Sequence, residues 1–573
     1  DKSLEHFENA LERDPGFARA WYYGGLANIG LKKEKEAENY LNRSGYDPAY
    51  YAAAHFELAQ LTASQGRLER AYEHIQRSIK GNGDNAQAWA VESLILNRLG
   101  HHHQALEAAL AIQALDPLDF LSLAGRAAAL DNLGLGAQAA AVMDTLLAVT
   151  RKHSENHLEL AVRYARCGCY EDAARILKSI TESPSAENIS PMVYYYLAFY
   201  SHLLGKSAET EKYLAAAAVV SPKFCFPSRL ESFPVLTWAA RQNPEDARAH
   251  FFLGTLYYSK ERADEAIAAL EKAVALEPSN VVARRNLAYA YAGENDLEHA
   301  RAAYEAALRA DPEASLAVLE LNNTYQKLDL KPERWAEFLE KHISTVTKSD
   351  PLLKKLISLN VRLGHYDEAL KWLTSHRFHS WEGGFEVHVY WVESHIRKGD
   401  NAFAAEDYEK ALEHYRLSLT YPDNLEVKEQ PNTIHARKRY KVGLALEALG
   451  RHDEARGEFE TVAKEKPKPA SAYHFFIGKA LEKLGREQEA RGVYEKMLEV
   501  LDSETESTGE VHIIGSPVAG ESEIDLRAQL LFKRSLALEG LGQSEKAENL
   551  RQKALELDSR AALKAFSPPL AGW

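Results

Sequence analysis

Three neighbouring residues, His379, Trp381 and Glu382, place an imidazole, an indole and a carboxylate together in the string HSWEGG. An indole face can stack on a sugar ring, and the other two groups can hydrogen-bond its hydroxyls. Gly383 and Gly384 follow directly, and paired glycines permit a tight turn. One carboxylate does not make the pair that hydrolyses a glycosidic bond. The string is therefore a candidate ligand or domain contact, and its alternative is a structural turn with Trp381 buried and Glu382 capping a helix.

Two other clusters contain residue types that bind metals. The histidine run at 101–103 lies beside Gly100, where adjacent side chains cannot all face one ion, so we interpret it as a solvated turn. Cys167 and Cys169 form a lone Cys-x-Cys, which lacks the second ligand pair of a closed zinc site. The sequence therefore predicts no metal site and no cofactor.

Compact catalytic motifs are absent from the sequence. It has no Gly-rich phosphate loop, no Gly-x-Ser-x-Gly elbow and no His-Glu-x-x-His pair. We therefore assign no catalytic residue, and this chain by itself is not expected to be an enzyme.

The composition is that of a globular chain, with 46% hydrophobic and 27% charged residues among 573. A formal charge of −14 without a long basic run argues against nucleic acid and anionic membranes as partners. The nearest candidate for a membrane span, the short run Leu214 to Val220, is far short of the roughly 20 residues that span a bilayer. Three cysteines cannot staple a chain of this length, which favours a reducing, cytoplasmic location.

Small residues recur at a constant step of 34 residues. The alanines of this series are Ala37, Ala71, Ala105, Ala139 and Ala173. Five residues before the last four of them stand Gly66, Gly100, Gly134 and Gly168. A fixed period of this kind predicts a stack of repeated helix pairs, because one pair alone cannot bury its apolar face.

The segment from Ala249 to Pro278 shows the physical role of each landmark. Gly254 on a first helix and Ala266 on a second helix are small, so the two helices can approach closely. Pro278 ends the second helix because proline cannot continue its hydrogen-bond ladder. The same pattern places an anchor residue on the second helix of every pair: Ala37, Ala71, Ala105, Ala139, Ala173, Thr210, Ala266, Ala300, Ala336, Ala369, Ala411, Ala455, Ala490 and Ala547.

With these landmarks the chain resembles the tetratricopeptide repeat family over nearly its whole length. The consensus-like residues of two units are Trp89, Gly100, Ala105 and Pro117, and Leu253, Gly254, Tyr257, Ala266 and Pro278. The resemblance implies an all-α superhelical solenoid of about 13–14 repeats. It also implies that an extended concave groove is the working face.

Interruptions of the repeat predict the domain boundaries. The segments are 1–222, a first repeat block that starts in mid-repeat; 223–244, an irregular link with a single helix; 245–374, a second block; 375–400, the HSWEGG insert and a long helix; 401–501, a third block; 502–525, a polar loop; and 526–573, a last pair and tail.

Four segments outside the regular repeats carry further expectations. The stretch from Ser3 to Pro15 reads as a second helix without its first, so we expect the chain to be the carboxyl-terminal part of a larger polypeptide. Aromatic residues of the link either seal the adjoining repeats or form a docking patch. Val511 to Ile514 can add a strand to a partner's sheet, and Trp573 can tuck against the final helix.

The region from Arg229 to Ala463 carries a second resemblance. The strings FPSRLE, HSWEGG and YEKALEHYRLSLTYPDNL are similar to bacterial tetratricopeptide proteins whose amino-terminal domain, of unknown function, is β-rich and similar to galactose mutarotase. Ser380 stands where that family is expected to have proline. The resemblance implies a preceding sugar-binding or sugar-processing domain, which the helices clasp or present to partners.

Six aromatic residues fall one position after the first anchor of their repeats: Tyr22, Phe56, Tyr195, Phe251, Tyr440 and Phe475. In related repeats this position faces the groove, so they are candidate contacts for an extended peptide, and packing on neighbouring helices is the alternative. The carboxylate clamp of chaperone-binding relatives needs Lys and Asn four residues apart. Four residues after Arg285 stands Tyr289, and four residues after Lys354 stands Ser358. Neither is asparagine, so the clamp does not carry over.

The sequence as a whole favours a non-catalytic scaffold that binds a protein, or its own upstream domain, in the groove. The alternative is the helical accessory half of a bacterial carbohydrate-active or sugar-binding protein.

Overall fold

The structure is a computed structural model. It describes residues 2–182, 189–223, 225–328, 330–379, 386–506, 523–558 and 561–566. Within these ranges the regular elements are helices, which confirms the predicted all-α fold class. The chain divides into two compact units, Asp1–Glu294 and Asn295–Trp573.

The first unit, with one segment per helix, contains α1 (Lys2–Arg13), α2 (Ala18–Gly30), α3 (Glu34–Ser44), α4 (Tyr51–Ser64), α5 (Leu68–Gly81), α6 (Ala86–Arg98), α7 (His102–Leu115), α8 (Phe120–Asn132), α9 (Gly136–Val149), α10 (Ser154–Arg166), α11 (Tyr170–Thr181), α12 (Pro191–Leu203), α13 (Ser207–Val219), α14 (Ser232–Gln242), α15 (Ala247–Ser259), α16 (Ala263–Leu276) and α17 (Val281–Gly293).

The second unit contains α18 (Leu297–Ala310), α19 (Ser315–Lys327), α20 (Pro332–Lys341), α21 (Ile343–Val346), α22 (Asp350–Leu363), α23 (Tyr366–Ser375), α24 (Glu386–Ala404), α25 (Tyr408–Leu417), α26 (Ala436–Ala448), α27 (His452–Ala463), α28 (Tyr473–Lys483), α29 (Glu487–Glu506), α30 (Glu523–Gly540), α31 (Ser544–Leu557) and α32 (Ala561–Ala565). A 3₁₀ turn spans Asp423–Leu425.

Each predicted anchor residue lies on the second helix of a pair, and each is buried. Thr210, at 9% exposure, is the least buried of the anchors. Neighbouring pairs stack through their apolar faces and form a large hydrophobic cluster in each unit, from Ala59 to Ala290 in the first and from Ala402 to Ala565 in the second. The 34-residue step therefore identified the repeating helix pair correctly.

A ring from the second helix fills the space above a glycine of the first. A Cβ built on Gly478 would lie 2.3 Å from Cε1 and Cζ of Tyr494, and one on Gly443 would lie 2.5 Å from Cε1 of Phe459. Real Cβ atoms do not approach other atoms this closely, so only glycine fits. These contacts set the distance between the helices of these two pairs.

The turn glycines adopt the left-handed backbone conformation. Gly66 and Gly100 have φ of +74° and +81°, a region that costs other residues roughly 1–2 kcal/mol. The next residue closes the turn: the N–H of Arg67 donates to the carbonyl of Thr62 at 3.0 Å. The glycine series thus marks the reversal between the two helices.

The interruptions differ in detail from their predicted extents. The single helix expected in the link is α14. The ends of the predicted loop at 502–525 are helical, because α29 continues to Glu506 and α30 begins at Glu523. Residues 507–522, which include Val511 to Ile514, lie outside the described residues, as does Trp573.

The long helix predicted after the HSWEGG insert is α24, which has 19 residues and ends at Ala404. It packs on α25 as the first helix of a regular pair. The boundary between the two units falls inside the predicted second block, and the other block limits stay predictions. Among the described helices, none combines the length and the apolar character that crossing a membrane requires.

Substituting Gly478→Ala should destabilise the protein by about 1–3 kcal/mol, because the new methyl group overlaps the Tyr494 ring. Gly492→Ala is the matched control: Gly492 is exposed on α29 and has no atom within 4 Å of a built Cβ, so alanine there should stabilise slightly. Thermal melts followed by circular dichroism measure both. Equal melting temperatures for the two variants would contradict this packing.

Candidate functional site

We use the term first-helix face for the surface formed by the first helices of successive pairs. In the first unit this face closes on itself, because α4 contacts α10. Arg98 at the end of α6 joins them: its guanidinium donates to the carbonyl oxygens of Ala63 at 2.7 Å and Cys167 at 2.6 Å. Gly168 lies against Ser64, whose Cα would be 3.0 Å from a built Cβ. The expected open groove is therefore occupied here by the chain itself.

An ion pair crosses this closed face. Arg166 of α10 donates to Glu57 of α4 at 2.7 Å, and Glu57 is 8% exposed. Burial raises the pKa of Glu57, and Arg166 and Arg163 oppose that rise. Tyr22 lies nearby, and burial together with Glu57 raises its pKa to about 12. The group is a packed polar contact between distant repeats.

The irregular link also covers α10. Arg229 of the FPSRLE string donates to the Glu155 carbonyl oxygen at 3.2 Å, to its carboxylate, and to Glu159 at 3.3 Å. Leu236 and Trp238 face inward, with Leu236 fully buried and Trp238 against Phe199. These residues of the link therefore seal the adjoining repeats, which is the first of the two interpretations given for the link.

Two apolar side chains of the link point away from this packing. Phe226 is 74% exposed and Leu230 is 65% exposed. They leave the docking-patch interpretation untested, and nothing in the described structure shows a partner for them.

The predicted groove aromatics divide into two groups. Tyr195, Phe251 and Phe475 are buried, and the Tyr195 hydroxyl donates to Asp246 at 2.9 Å. Asp246 also caps α15 by accepting from two backbone N–H groups, so the role of Tyr195 is internal.

Tyr22, Phe56 and Tyr440 are half-buried. Phe56 packs against the core of the first unit. Tyr440 lies between Phe459 and Phe476, with ring centroids 5.7 and 5.8 Å away. Of these three, only Tyr440 borders the cleft described below.

The HSWEGG insert is described only at its start. The His379 side chain is 82% exposed, and the backbone N–H of His379 donates to the Asp350 carboxylate at 2.9 Å. Asp350 also pairs with His376 at 2.8 Å. Burial alone would raise the pKa of Asp350, but the hydrogen bonds from His379 and His376 hold it below its ordinary value. Trp381 and Glu382 lie outside the described residues, and their role stays a prediction.

One string that carried the second resemblance contacts the residues just before another, the HSWEGG string. The side chain of Asn424, in the YPDNL part, donates to the carbonyl oxygens of Leu373 at 2.7 Å and His376 at 2.8 Å. The N–H of Phe378 donates to the Asn424 carbonyl at 2.9 Å, and Phe378 is fully buried. Asn424 thus fixes the backbone that leads into the insert.

Two histidine pairs repeat the same arrangement in different units. Nδ1 of His55 lies 3.0 Å from Nδ1 of His74, and Nδ1 of His395 lies 3.1 Å from Nδ1 of His414. Each pair joins the first helix of a repeat to the second. Burial lowers the pKa of His74 and His395 to about 4. One ring of each pair must donate and the other accept, so the accepting ring is neutral in the folded state.

These histidines and the buried cysteines are not arranged as a metal centre. Among the described side chains, no group of three or more His, Cys, Asp or Glu could hold an ion. Cys167 and Cys169 are buried, and burial raises the pKa of the Cys167 thiol to about 12.

The most distinctive charge cluster lies on the first-helix face of the second unit. Arg437 of α26 makes a two-pronged contact with Glu393 of α24, with distances of 2.7 and 3.3 Å. Arg397 donates to the same carboxylate at 2.7 Å. Glu393 and Arg437 are 4% and 8% exposed. Burial alone would raise the pKa of Glu393, but the two arginines hold it at about 2.

Aromatic side chains complete a cleft beside this pair. We call it the Arg437 cleft and define it by Glu393, Arg437, Tyr473, Phe476 and Phe532. These residues come from α24, α26, α28 and α30, which are first helices of four successive pairs. The cleft therefore spans several repeats, as a binding face of stacked helix pairs does.

A phenylalanine of the same chain occupies the cleft. The Phe566 ring centroid lies 4.8 Å from Cζ of Arg437, 5.6 Å from the Tyr473 and Phe476 rings, and 6.3 Å from the Phe532 ring. The Tyr473 hydroxyl donates to the Phe566 carbonyl oxygen at 2.7 Å. The cleft thus recognises both a side chain and a backbone group.

Sequence reasoning missed this cleft. A usable signal was present, because Glu393 and Arg437 each stand 18 residues before their anchors, Ala411 and Ala455. Opposite charges at equivalent positions of adjacent repeats predict a pair across first helices. The position of Phe566 had no comparable signal.

The family model of the tetratricopeptide repeat matches residues 234–281, 255–315 and 440–503. These stretches are tetratricopeptide repeats.

Solved structures with partial similarity are also repeat proteins. A MamA fragment from Desulfovibrio magneticus RS-1 is 21% identical, with a TM-score of 0.21, and the match covers 34% of this chain and 97% of that one. A tetratricopeptide repeat protein from Parabacteroides merdae is 18% identical, with a TM-score of 0.23 and coverages of 51% and 99%. Identities and scores this low transfer neither function nor partner. The mutarotase-like neighbour expected from the second resemblance has no counterpart in these matches.

Acid should weaken the fold through the histidine pairs. Their folded-state pKa values are depressed, so stability is lost as the pH falls from about 6.5 towards about 4. The double variant His74→Gln, His414→Gln should flatten this fall in the urea midpoint between pH 7 and pH 5. His103→Gln, at an exposed position in the first turn of α7, should keep the wild-type slope. An unchanged slope in the double variant would contradict the assignment.

Removing the carboxylate of the buried pair should be costly. Glu393→Gln leaves Arg437 and Arg397 without their acceptor charge, and we expect a loss of about 3–5 kcal/mol. Glu460→Gln is the control, because its pair with Arg456 is exposed and should contribute no more than about 1 kcal/mol. Thermal melts of the two variants provide the comparison, and a Glu393→Gln melt that matches Glu460→Gln would refute it.

Proposed function

We propose that this protein is a non-catalytic interaction scaffold that binds a segment of another protein in the Arg437 cleft. The observation that carries the proposal is the occupancy of the cleft by a piece of polypeptide. Tetratricopeptide repeats generally bind protein partners, and two of the residues that define this cleft, Tyr473 and Phe476, lie in a stretch that the repeat model matches, 440–503.

The chemistry of the cleft suits a peptide. A guanidinium that is neutralised by Glu393 can still lie against an aromatic face. The Tyr473 hydroxyl donates to a main-chain carbonyl oxygen, a group that every peptide offers. Phe476 and Phe532 supply apolar walls, and aromatic residues and arginine are typical of binding hot spots.

Rigid placement of these groups favours binding. Glu393 is held by two arginines, and Phe476 packs against Phe475 and Tyr440. A partner that enters a preformed cleft orders few additional side chains, so less entropy is lost on association.

The sugar-linked alternative is not part of this proposal. It depends on Trp381 and Glu382, which lie outside the described residues, and on a domain that the comparisons do not show. It stays a prediction from the second resemblance.

Selection from a random peptide library on the full-length chain tests the proposal. Every protein in this test carries Phe566→Ala, which removes the ring that occupies the cleft, and the protein without a further change is the wild type of the comparison. We expect enriched peptides to contain an aromatic residue and to bind Tyr473→Phe about 3–10-fold more weakly, since one hydrogen bond contributes about 1 kcal/mol. Tyr408→Phe, at a half-buried tyrosine elsewhere in the same unit, is the matched control and should bind normally. Fluorescence polarisation with synthetic peptides gives the affinities. Equal binding by wild type and Tyr473→Phe, or no enriched peptide, would refute the proposed site.

A further inference from the structure

The segment Ala561–Phe566 lies against the first-helix face and not only beside the repeat before it. It packs on α30 more extensively than on α31. Phe566 then reaches Arg437 on α26 and Tyr473 on α28, which belong to the two preceding pairs. A helix that simply caps the stack would bury the last pair and would not need to extend to α26.

Two side chains of the segment, those of Lys564 and Phe566, hold it in place. The Phe566 ring fills the cleft over Arg437. The Lys564 ammonium, in a residue that is 7% exposed, pairs with Asp525 of α30 at 2.9 Å and with Asp558 at 3.0 Å. The chain thus displays the recognition pattern of the site: a lysine, one residue, and then an aromatic residue.

The segment combines packing on the core with contacts of the kind that a peptide ligand makes. Phe566 is only half-buried, unlike the fully buried rings of the core. Its main-chain carbonyl accepts a hydrogen bond from the Tyr473 hydroxyl at 2.7 Å. Ala561 and Ala565 are buried in the hydrophobic core of the second unit, so apolar packing anchors the segment together with Lys564 and Phe566.

Resting on the proposed function, we infer that Ala561–Phe566 is an internal ligand that occupies the Arg437 cleft and competes with partner segments of the form lysine, any residue, aromatic. The partner is therefore a polypeptide with a lysine two positions before an aromatic residue. Because the internal segment is covalently tethered only a few residues after α31, its effective concentration is on the order of millimolar. A partner segment must displace the tethered segment to enter the cleft. The tethered segment therefore lowers the apparent affinity of every partner that binds there.

A labelled synthetic peptide of residues 559–573 is the probe, and it is added to full-length proteins. We expect Phe566→Ala to bind this peptide at least about 10-fold more tightly than wild type does, because the internal competitor is weakened. Leu557→Ala, at an exposed position of α31, should behave as wild type. A peptide with alanine in place of Phe566 should not bind to any of the proteins.

Two further variants keep the result interpretable if Phe566→Ala folds poorly. Lys564→Gln leaves the ring in place and should give a smaller gain in peptide affinity. Phe566→Trp should keep the weak wild-type affinity, since an aromatic ring still occupies the cleft. Circular dichroism at 222 nm verifies the helix content of each protein.

The outcomes separate this inference from the proposed function. Equal affinity of wild type, Lys564→Gln and Phe566→Ala for the probe would overturn the internal-ligand role while leaving peptide binding intact. A Phe566→Ala protein that loses helix content and a Lys564→Gln protein that gains no affinity would assign the segment a purely structural role. Library peptides that bind without any dependence on Tyr473 would instead remove the proposed site.

Discussion

The close approach of the two helices in each pair is the constraint on which the rest of the structure depends. Gly478 and Gly443 leave room for Tyr494 and Phe459, and a methyl group in place of either glycine hydrogen would collide with the ring. This contact brings the anchor alanines inside the pair and aligns the first helices of successive pairs. A first-helix face, and hence a cleft shared by α24, α26, α28 and α30, exists only because that spacing is repeated.

The two units use this face differently. In the first unit, α4 meets α10, and Arg166 is paired with Glu57 across the contact. In the second unit, Glu393 and Arg437 neutralise each other beside aromatic walls, which removes the cost of an isolated buried charge. The first face is filled by its own repeats, whereas the second accepts a short segment through one ring and one carbonyl.

Local spacing explains why the fold could be predicted. The 34-residue step, the small anchors and the turn glycines each act within one helix pair, so the sequence alone locates them. The site depends on contacts between distant residues, such as Glu57 with Arg166, 109 positions apart, and Tyr473 with Phe566, 93 positions apart. Aromatic residues such as Tyr195 had two interpretations, a groove contact or packing on neighbouring helices, and Tyr195 packs inward. Periodicity alone could not decide between them, because it gives the helix face and not the final packing of neighbours.

Amide hydrogen exchange of residues 561–566 in the full chain tests the central claim most directly. The account predicts that these amides are protected in the protein alone and lose protection when the 559–573 peptide is added at saturating concentration, while amides of α28 stay protected. Exchange at the rate of an unstructured peptide in the protein alone would contradict it, as would protection that saturating peptide leaves unchanged.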